Sequence, residues 1–495
     1  MNSVQHPEAL LENAAGSSHE AGAAHRSLGR PSNWGLVVVV AVAAVAMRLA
    51  ASRGDLVMDE IFSLMIAAKA ESAGQIFVTH VDNNHILNTL ALYALGPLAP
   101  FWAYRLPAVL AGSLALCFAF RLALRRGTVP AFCVLILLSF SHVLILFGTE
   151  ARGYGYVACC TLAAWSALEG YLVRPRWQYA CAFGVASSLG FLSHLTFLFA
   201  WLAFGVFSTM KVKWRYGTWQ RLVVLNALPA MTCIGLSIAY VQGISIAGGN
   251  QSSIFDALRA TLSLMAGGPE RGNAANVAAI VMAALMAISL GAEFRLDRAR
   301  GALYLTAIIV APVAVLAVTG PTFLYPRYFL VPMIFGYVAV GFSLARWFLA
   351  GQVGRSLTAV LLAAFVALNL APVVRLIREG RGQFSTTVRW MTDHAGAPVA
   401  TVASDHDFRN ALLVIFYANR NSLLVPPNGT RLEYVKETEV RQQGTDWYLR
   451  HRFDGETAPD DSFSDSFGNR YNVVKVFPAG SISGWTWWLY QRQRP

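Results

Sequence analysis

Charge is scarce in this sequence. Of its 495 residues only 13% are Asp, Glu, Lys or Arg, where a soluble globular protein has roughly a quarter. Acids are scarcer than bases, 27 against 39, which leaves a formal net charge of +12. Cysteine is sparse too. All six (Cys117, Cys133, Cys159, Cys160, Cys181 and Cys233) lie within apolar stretches and none forms a CxxC pair. Neither a disulfide framework nor a thiolate zinc site is therefore expected. The shortage of charge excludes a disordered chain, a coiled coil and an ordinary soluble enzyme. What is abundant is apolar: 56% of residues are hydrophobic and the mean hydropathy is +0.47. The basic excess does not point to a nucleic-acid partner, because the cations fall in short runs between apolar segments, a placement that orients a membrane protein. The composition is that of a polytopic α-helical membrane protein.

Eleven apolar runs of spanning or near-spanning length lie at 34–50, 101–124, 129–148, 153–173, 177–193, 195–210, 221–243, 275–292, 301–320, 327–348 and 355–377. A helix needs about 20 apolar residues to cross the hydrocarbon core, with roughly 17 the lower limit. Ile86–Leu98 is shorter than that and ends at Gly96-Pro97, so it reads as interfacial or re-entrant. With the N-terminus inside, eleven spans put the loops bearing Arg121, Arg125 and Arg126, Arg174 and Arg176, Lys211 to Arg215, Arg295 to Arg300, and Arg346 to Arg355 on the cytoplasmic side. That is the side the positive-inside bias requires. A twelfth span at Ile86–Leu98 would place all of them outside. Residues 1–33, polar and unperiodic, read as a disordered cytoplasmic tail. Residues 34–377 form the membrane domain, whose first outer loop, 51–100, carries interfacial helices.

After Ile377 the share of charged residues rises to that of a soluble domain. Val399–Val402 and Ser422–Val425 read as strands and Asp407–Tyr417 as an amphipathic helix. Asn472–Phe477 and Thr486–Tyr490 are further strand-like runs. Residues 378–495 are thus expected to form a small α/β domain on the outer face.

The scarce acids locate the chemistry. Before residue 378, those assigned to the outer face are Asp55, Asp59, Glu60, Glu71, Asp82, Glu150, Asp256 and Glu270, and the first five share one loop. Ionisable groups at membrane level are costly and usually functional. Asp59 and Glu60 open an amphipathic helix, where the dipole favours ionised carboxylates; helix capping is the competing reading. His80, Asp82, Asn83, Asn84, His85 and Asn88 follow as a polar cluster. Their spacing leaves metal binding open without specifying a ligand geometry. Three outer-face arginines stand beside tyrosines, in Tyr104-Arg105, Arg152-Gly-Tyr154 and Arg327-Tyr328. Interfacial anchoring accounts for each alone; the set suits an anionic lipid headgroup, since arginine presents a planar fork of donors to phosphate. His194 lies in a short outer turn and is either a support residue or simply solvated.

In this order, Asp59-Glu60, Asn84-His85-Ile86-Leu87, Arg105-Leu106-Pro107, Glu150-Ala-Arg152-Gly-Tyr154 and Arg327-Tyr328-Phe329-Leu330 resemble the C-type membrane glycosyltransferases that use polyprenyl-phosphate sugars. The nearest groups are the protein O-mannosyltransferase superfamily and the lipid A aminoarabinose transferase. The resemblance spans residues 34–377 and the plan of an outer C-terminal domain. His-Pro-Pro or Lys-Pro-Pro, frequent in the family, is replaced here by His85-Ile86-Leu87, so acceptor identity does not carry over.

The resemblance implies a multi-pass protein of a bacterial cytoplasmic (inner) membrane, with its C-terminal domain periplasmic. It implies transfer of a hexose or pentose from a polyprenyl-phosphate donor to a glycolipid, polysaccharide or protein, with inversion. Asp59 would be the general base with Glu60 beside it. Arg105, Arg152, Arg327 and Tyr328 would bind the donor phosphate. Asp82, Asn84, His85, Glu150, Tyr154 and His194 would hold sugar or acceptor or support the site. A divalent ion held by Asp59, His85 and Glu150 stays open as a cofactor. The alternatives are a transporter or lipid flippase, which calls for polar groups near the midplane and paired broken helices, and a non-catalytic scaffold.

Overall fold

The computed structural model describes residues 34–212, 218–244, 253–321, 324–423, 430–453, 456–478, 480 and 485–493. The tail read over 1–33 lies outside these residues. A helix stands at each of the eleven expected positions: Trp34–Ala51, Phe101–Leu124, Thr128–Phe140 with His142–Gly148, Tyr154–Val173, Trp177–Ser193, Phe197–Lys211, Thr218–Leu236, Asn273–Leu296, Arg298–Thr319, Pro326–Leu349 and Gln352–Glu379. Among the described residues eight are long and apolar enough to cross a membrane, or nine if the bent pair counts as one span. Trp177–Ser193 and Phe197–Lys211, at 17 and 15 residues, lie at or below the lower limit of roughly 17 for a span. Ile86–Leu95 is a helix of ten residues, too short to span.

The third segment departs from a straight span. It bends by 59° between Phe140 and His142, where Ser141 leaves helical geometry at φ −59, ψ 115. The break frees carbonyls at the end of the first half. Arg48 of the first span covers them, donating from Nη2 to Leu138 O at 3.0 Å and from Nη1 to Ser139 O at 3.3 Å. A helix break inside a membrane persists where another group satisfies the freed backbone. No proline or glycine marks this one.

Pro326–Leu349 is the axis of the bundle, with 94% of its apolar window buried. A helix apolar on every side belongs inside. Trp165 stacks on its Phe335 at 4.7 Å between ring centroids, and Tyr337 Oη lies 2.9 Å from Ser141 Oγ at the bend. Walled in this way, the axial helix fixes Arg327 at its N-terminal end. The Phe101–Leu124 and Tyr154–Val173 helices touch closely at Gly155, where an added Cβ would strike the Ala108 carbonyl. That contact brings Arg105 and Arg152 to the same region. At the opposite end of the bundle Glu293 accepts from Arg126 and Arg346 at 3.0 and 2.6 Å, and Lys211 meets Asp297 at 2.6 Å. These are residues at the basic-loop end, away from Asp59.

The C-terminal region forms a six-stranded mixed sheet: β1 (Val399–Ser404), β2 (Arg431–Tyr434), β3 (Trp447–Phe453), β4 (Ser462–Ser464), β5 (Arg470–Phe477) and β6 (Trp485–Arg492), in the order β2-β1-β3-β6-β5-β4. β1 is parallel to β2 and β3; the remaining pairs are antiparallel. Helices Phe384–Asp393 and Arg409–Leu423 complete the domain. The second helix continues through Ser422 and Leu423, where a strand was expected; the rest of that expected strand lies outside the described residues. The domain does not stand apart from the membrane part. Leu56, Ile61 and Leu64, from the segment after the first span, share one buried cluster with Phe384, Val388, Tyr417 and Trp487. Ser385 donates from N and Oγ to Asp55, both at 2.7 Å, and Tyr417 Oη donates to Leu56 O at 2.9 Å.

Candidate active site at the end of the bundle opposite the basic loops

Asp59 and Glu60 are neighbours in sequence but do different things, because about 100° of helix rotation separates successive side chains. Glu60, on helix Met58–Lys69, turns inward and is completely buried. As the third residue of the helix it reaches back to the Val57 N–H at 2.9 Å, which satisfies one open donor of the first turn. It also accepts from Ala151 N at 2.8 Å, and from Arg105 Nε and Nη2 at 2.7 and 2.6 Å. The rest of the Arg105 fork is used up on the carbonyls of Ser52, Arg53, Gly54 and Asp55, at 2.6 to 3.2 Å. Arg105 has no exposed surface. The expectation that it meets a donor phosphate is therefore corrected: its donors are saturated, and it ties Glu60 and the post-span loop together.

Asp59 keeps some exposure, 23% of its side chain. Its Oδ2 accepts from Arg152 Nη1 at 2.7 Å and faces Arg327 Nη1 at 2.9 Å. Asn83 completes the frame, donating to Asp59 O at 2.6 Å and accepting from Arg152 Nη2 at 2.8 Å. Among the described residues Asp59 Oδ1 has no hydrogen bond. Burial would raise the Asp59 carboxyl, but Arg152, Arg327 and Arg409 outweigh it and hold it below its ordinary value. Arg327 also lies over the Tyr325 ring at 4.5 Å, with Tyr328 at 5.8 Å.

Behind Arg152, Glu150 is buried at 4.0 Å from it and 3.6 Å from Arg381 Nη1. Its Oε2 has no hydrogen bond among the described residues. Burial pushes its carboxyl up to about 7 against the pull of Arg381 and Arg152. Arg381, just past the last span, also donates to Leu146 O at 3.1 Å and Thr149 Oγ1 at 2.6 Å. A row of alternating charge thus runs from the interior outwards: Arg381, Glu150, Arg152, Asp59, Arg327.

Beside this row three rings pack together. His85 stacks on His194 at 4.8 Å, and Tyr154 lies 5.6 Å from His85 and 5.0 Å from His194. Burial, then Arg152, lower both histidines, His194 to about 3, so both are neutral. His194 is thus part of the site wall and not simply solvated. Asn84 faces away, donating to Ile76 O and Thr79 O at 2.7 and 3.0 Å; it shapes the turn. Asp82 is half-buried and lies within electrostatic reach of Tyr328 and Tyr240.

A metal ion does not fit the residues. Among the described residues no three His, Cys, Asp or Glu side chains come close enough to hold one. Of the three candidate ligands, Asp59 is faced by two arginines, Glu150 lies between two more contacts to arginine, and His85 stacks on a ring. Guanidinium groups occupy the positions where a cation would sit.

Sequence reasoning missed Asn83, Arg381 and Arg409 as members of the site. Asn83 stood in the polar cluster, one residue from the Asn84 that was preferred. Arg381 and Arg409 lie where charge is ordinary, and only folding brings the first to Glu150 and the second near Asp59.

The helical bundle, the short helices between its first two spans and the docked sheet domain together form the C-type membrane glycosyltransferase fold. Eighteen chains of solved structures match it. One is ArnT from Cupriavidus metallidurans bound to undecaprenyl phosphate, with a TM-score of 0.52 and 12% identity over 93% of this chain and 98% of that one. The apo form of the same protein matches with a TM-score of 0.52 and 12% identity, covering 86% and 94%. The Archaeoglobus fulgidus oligosaccharyltransferase in complex with Zn and sulfate gives a TM-score of 0.42 at 10% identity, covering 83% and 67%. No family model and no curated protein matches the sequence.

Proposed function

We propose that the chain transfers a sugar from a polyprenyl-phosphate donor to an acceptor hydroxyl at the outer face of the cytoplasmic membrane, inverting the anomeric carbon. The observation that carries this reading is the Asp59 carboxylate held at 2.7 and 2.9 Å by Arg152 and Arg327, a base and a phosphate-binding pair in one place. The shared fold with a protein solved bound to undecaprenyl phosphate supports the donor class.

In the resting site the two guanidiniums neutralise Asp59 and make it a poor base. A donor phosphate competes for the same N–H groups, because arginine binds carboxylate and phosphate alike. As Arg152 and Arg327 turn to the phosphate, Asp59 loses its cations and its basicity rises. Oδ1 then takes the proton of the acceptor hydroxyl. The acceptor oxygen bonds to the anomeric carbon while the bond from that carbon to the phosphate oxygen breaks. The electron pair leaves with the polyprenyl phosphate, whose charge the two arginines hold. Glu60 and Arg105 position the helix that carries Asp59. His85, Tyr154 and His194 wall the sugar side.

Mass spectrometry of the cell envelope with and without the protein tests the reading. Loss of a sugar-mass increment from a lipid, polysaccharide or protein is expected. Identical envelopes, together with solute transport by the purified protein in vesicles lacking any sugar donor, would overturn it in favour of a transporter.

A further inference from the structure

Arg409 reaches the site from the outer domain, as the first residue of helix Arg409–Leu423. Its guanidinium carbon lies 3.8 Å above the centre of the Trp485 ring. The His451 imidazole stacks on that ring at 3.9 Å and 12°. Two groups that close to one ring centre occupy opposite faces, so Trp485 is sandwiched and Arg409 is held flat against it. Asp405 secures the far side, with Oδ1 2.7 Å from His451 Nδ1 and Oδ2 3.3 Å from Arg452 Nη1. On the near side Phe408 stacks on Phe62 at 5.9 Å, one turn along the helix from Asp59. The arm is fixed at both ends.

Stacking uses the face of a guanidinium and leaves its N–H edge for hydrogen bonding. Among the described residues that edge has no hydrogen bond. Its electrostatic neighbours are Asp59, Tyr325 and Arg327. Glu60 is matched by Arg105 and Glu150 by Arg381, so Arg152, Arg327 and Arg409 face one carboxylate, Asp59. A sugar phosphodiester brings one more negative charge. Arg152 and Arg327 are in contact with Asp59, whereas Arg409 is held by stacking, which leaves its N–H edge for a further anion.

The geometry points to a second anion subsite at Arg409, distinct from the Arg152–Arg327 pair, that takes a phosphate group. This inference rests on the glycosyltransferase reading of the site. The phosphate belongs either to a diphosphate donor, as its second phosphate, or to a phosphorylated acceptor.

The test uses purified full-length protein, wild type and Arg409→Gln, with Arg409→Lys as the charge-retaining control and thermal unfolding as the check on folding. Affinities are measured for undecaprenyl phosphate, undecaprenyl diphosphate, and bis-phosphorylated and dephosphorylated lipid A. One charge-assisted contact corresponds to about tenfold in affinity. If the second phosphate is the donor's, wild type prefers the diphosphate about tenfold, and Arg409→Gln abolishes the preference while leaving monophosphate binding intact. If it is the acceptor's, dephosphorylation of lipid A and Arg409→Gln each weaken lipid A binding about tenfold and the two losses do not add. In either case Arg409→Lys keeps part of the effect. Unchanged affinities in folded Arg409→Gln, or equal weakening of all four ligands, would overturn the subsite. Wild type that binds neither polyprenyl lipid removes the proposed function. Protection by inorganic pyrophosphate then decides the subsite alone: protection lost in Arg409→Gln supports it, and equal or absent protection in both proteins refutes it.

Discussion

Glu60→Gln separates the roles of two adjacent carboxylates. Glu60 and Arg105 both have side-chain exposures of 0% and meet at 2.6 Å. Glu60 accepts four hydrogen bonds in all, two from Arg105 and one each from the N–H of Val57 and Ala151. The amide of glutamine offers one acceptor oxygen and turns N–H groups toward donors. Arg105 keeps its charge and loses the one counterion it contacts among the described residues. Breaking a buried pair on one side destabilises by about 3–5 kcal/mol. Asp59→Asn is expected to lose less, since the Asp59 side chain is 23% exposed and water screens its pairs where it reaches them. Denaturation of the purified protein, followed by intrinsic fluorescence, measures both. A double variant, Glu60→Leu with Arg105→Met, should recover part of the Glu60→Gln loss, because a buried pair replaced on both sides is often tolerated. If Glu60→Gln is as stable as wild type, or Asp59→Asn loses more than Glu60→Gln, the division between a structural Glu60 and a chemical Asp59 is wrong.

Glu150, raised from 4.5 to about 7 by burial, binds its proton more tightly folded than unfolded. Its contribution therefore destabilises progressively as pH rises from about 4.5 to 7 and is fully felt above; the shift corresponds to about 3 kcal/mol. Melting temperatures of Glu150→Gln across that window should show a flatter slope than wild type, and an unchanged slope would contradict the assignment. Donor binding is expected to free Asp59 from its arginines, so the acid limb of kcat should lie at higher pH than the acid limb of kcat/KM for the donor; coincident limbs would mean that the arginines never leave it. Gly153→Ala places a Cβ against the Ser193 carbonyl and 3.1 Å from His85 Nδ1. Displacing the turn that carries Arg152 should lower transfer by at least about tenfold, and near-normal activity would show that the histidine wall is not needed.

The bundle was legible because lipid demands long apolar runs, and runs such as Trp34–Ala51 and Gln352–Glu379 answer it directly. The bend at Ser141 was not: the Arg48 side chain that covers its freed carbonyls comes from another helix and leaves no local mark. In the C-terminal domain β1 and β6 were visible as apolar runs. β3, Trp-Tyr-Leu-Arg-His-Arg-Phe, hid behind its charged residues, and the short β2 and β4 carry too little pattern. Position of the candidate site follows from where the rare acids fall, Asp59, Glu60 and Glu150 coming together in the fold. Division of labour within it does not, because Arg105, Arg152 and Arg327 each stand beside a tyrosine in sequence. Only the fold shows that Arg105 is saturated by carbonyls while the other two turn to Asp59.

The central claim is that Asp59 takes the acceptor proton. The direct measurement is the sugar-mass increment on the cell envelope in strains that carry the wild-type protein, Asp59→Asn or none, with membrane insertion and folding of the variant checked in the same cells. The account predicts the increment with wild type and its absence from both other strains. A folded, inserted Asp59→Asn that restores the increment to the wild-type level would contradict it.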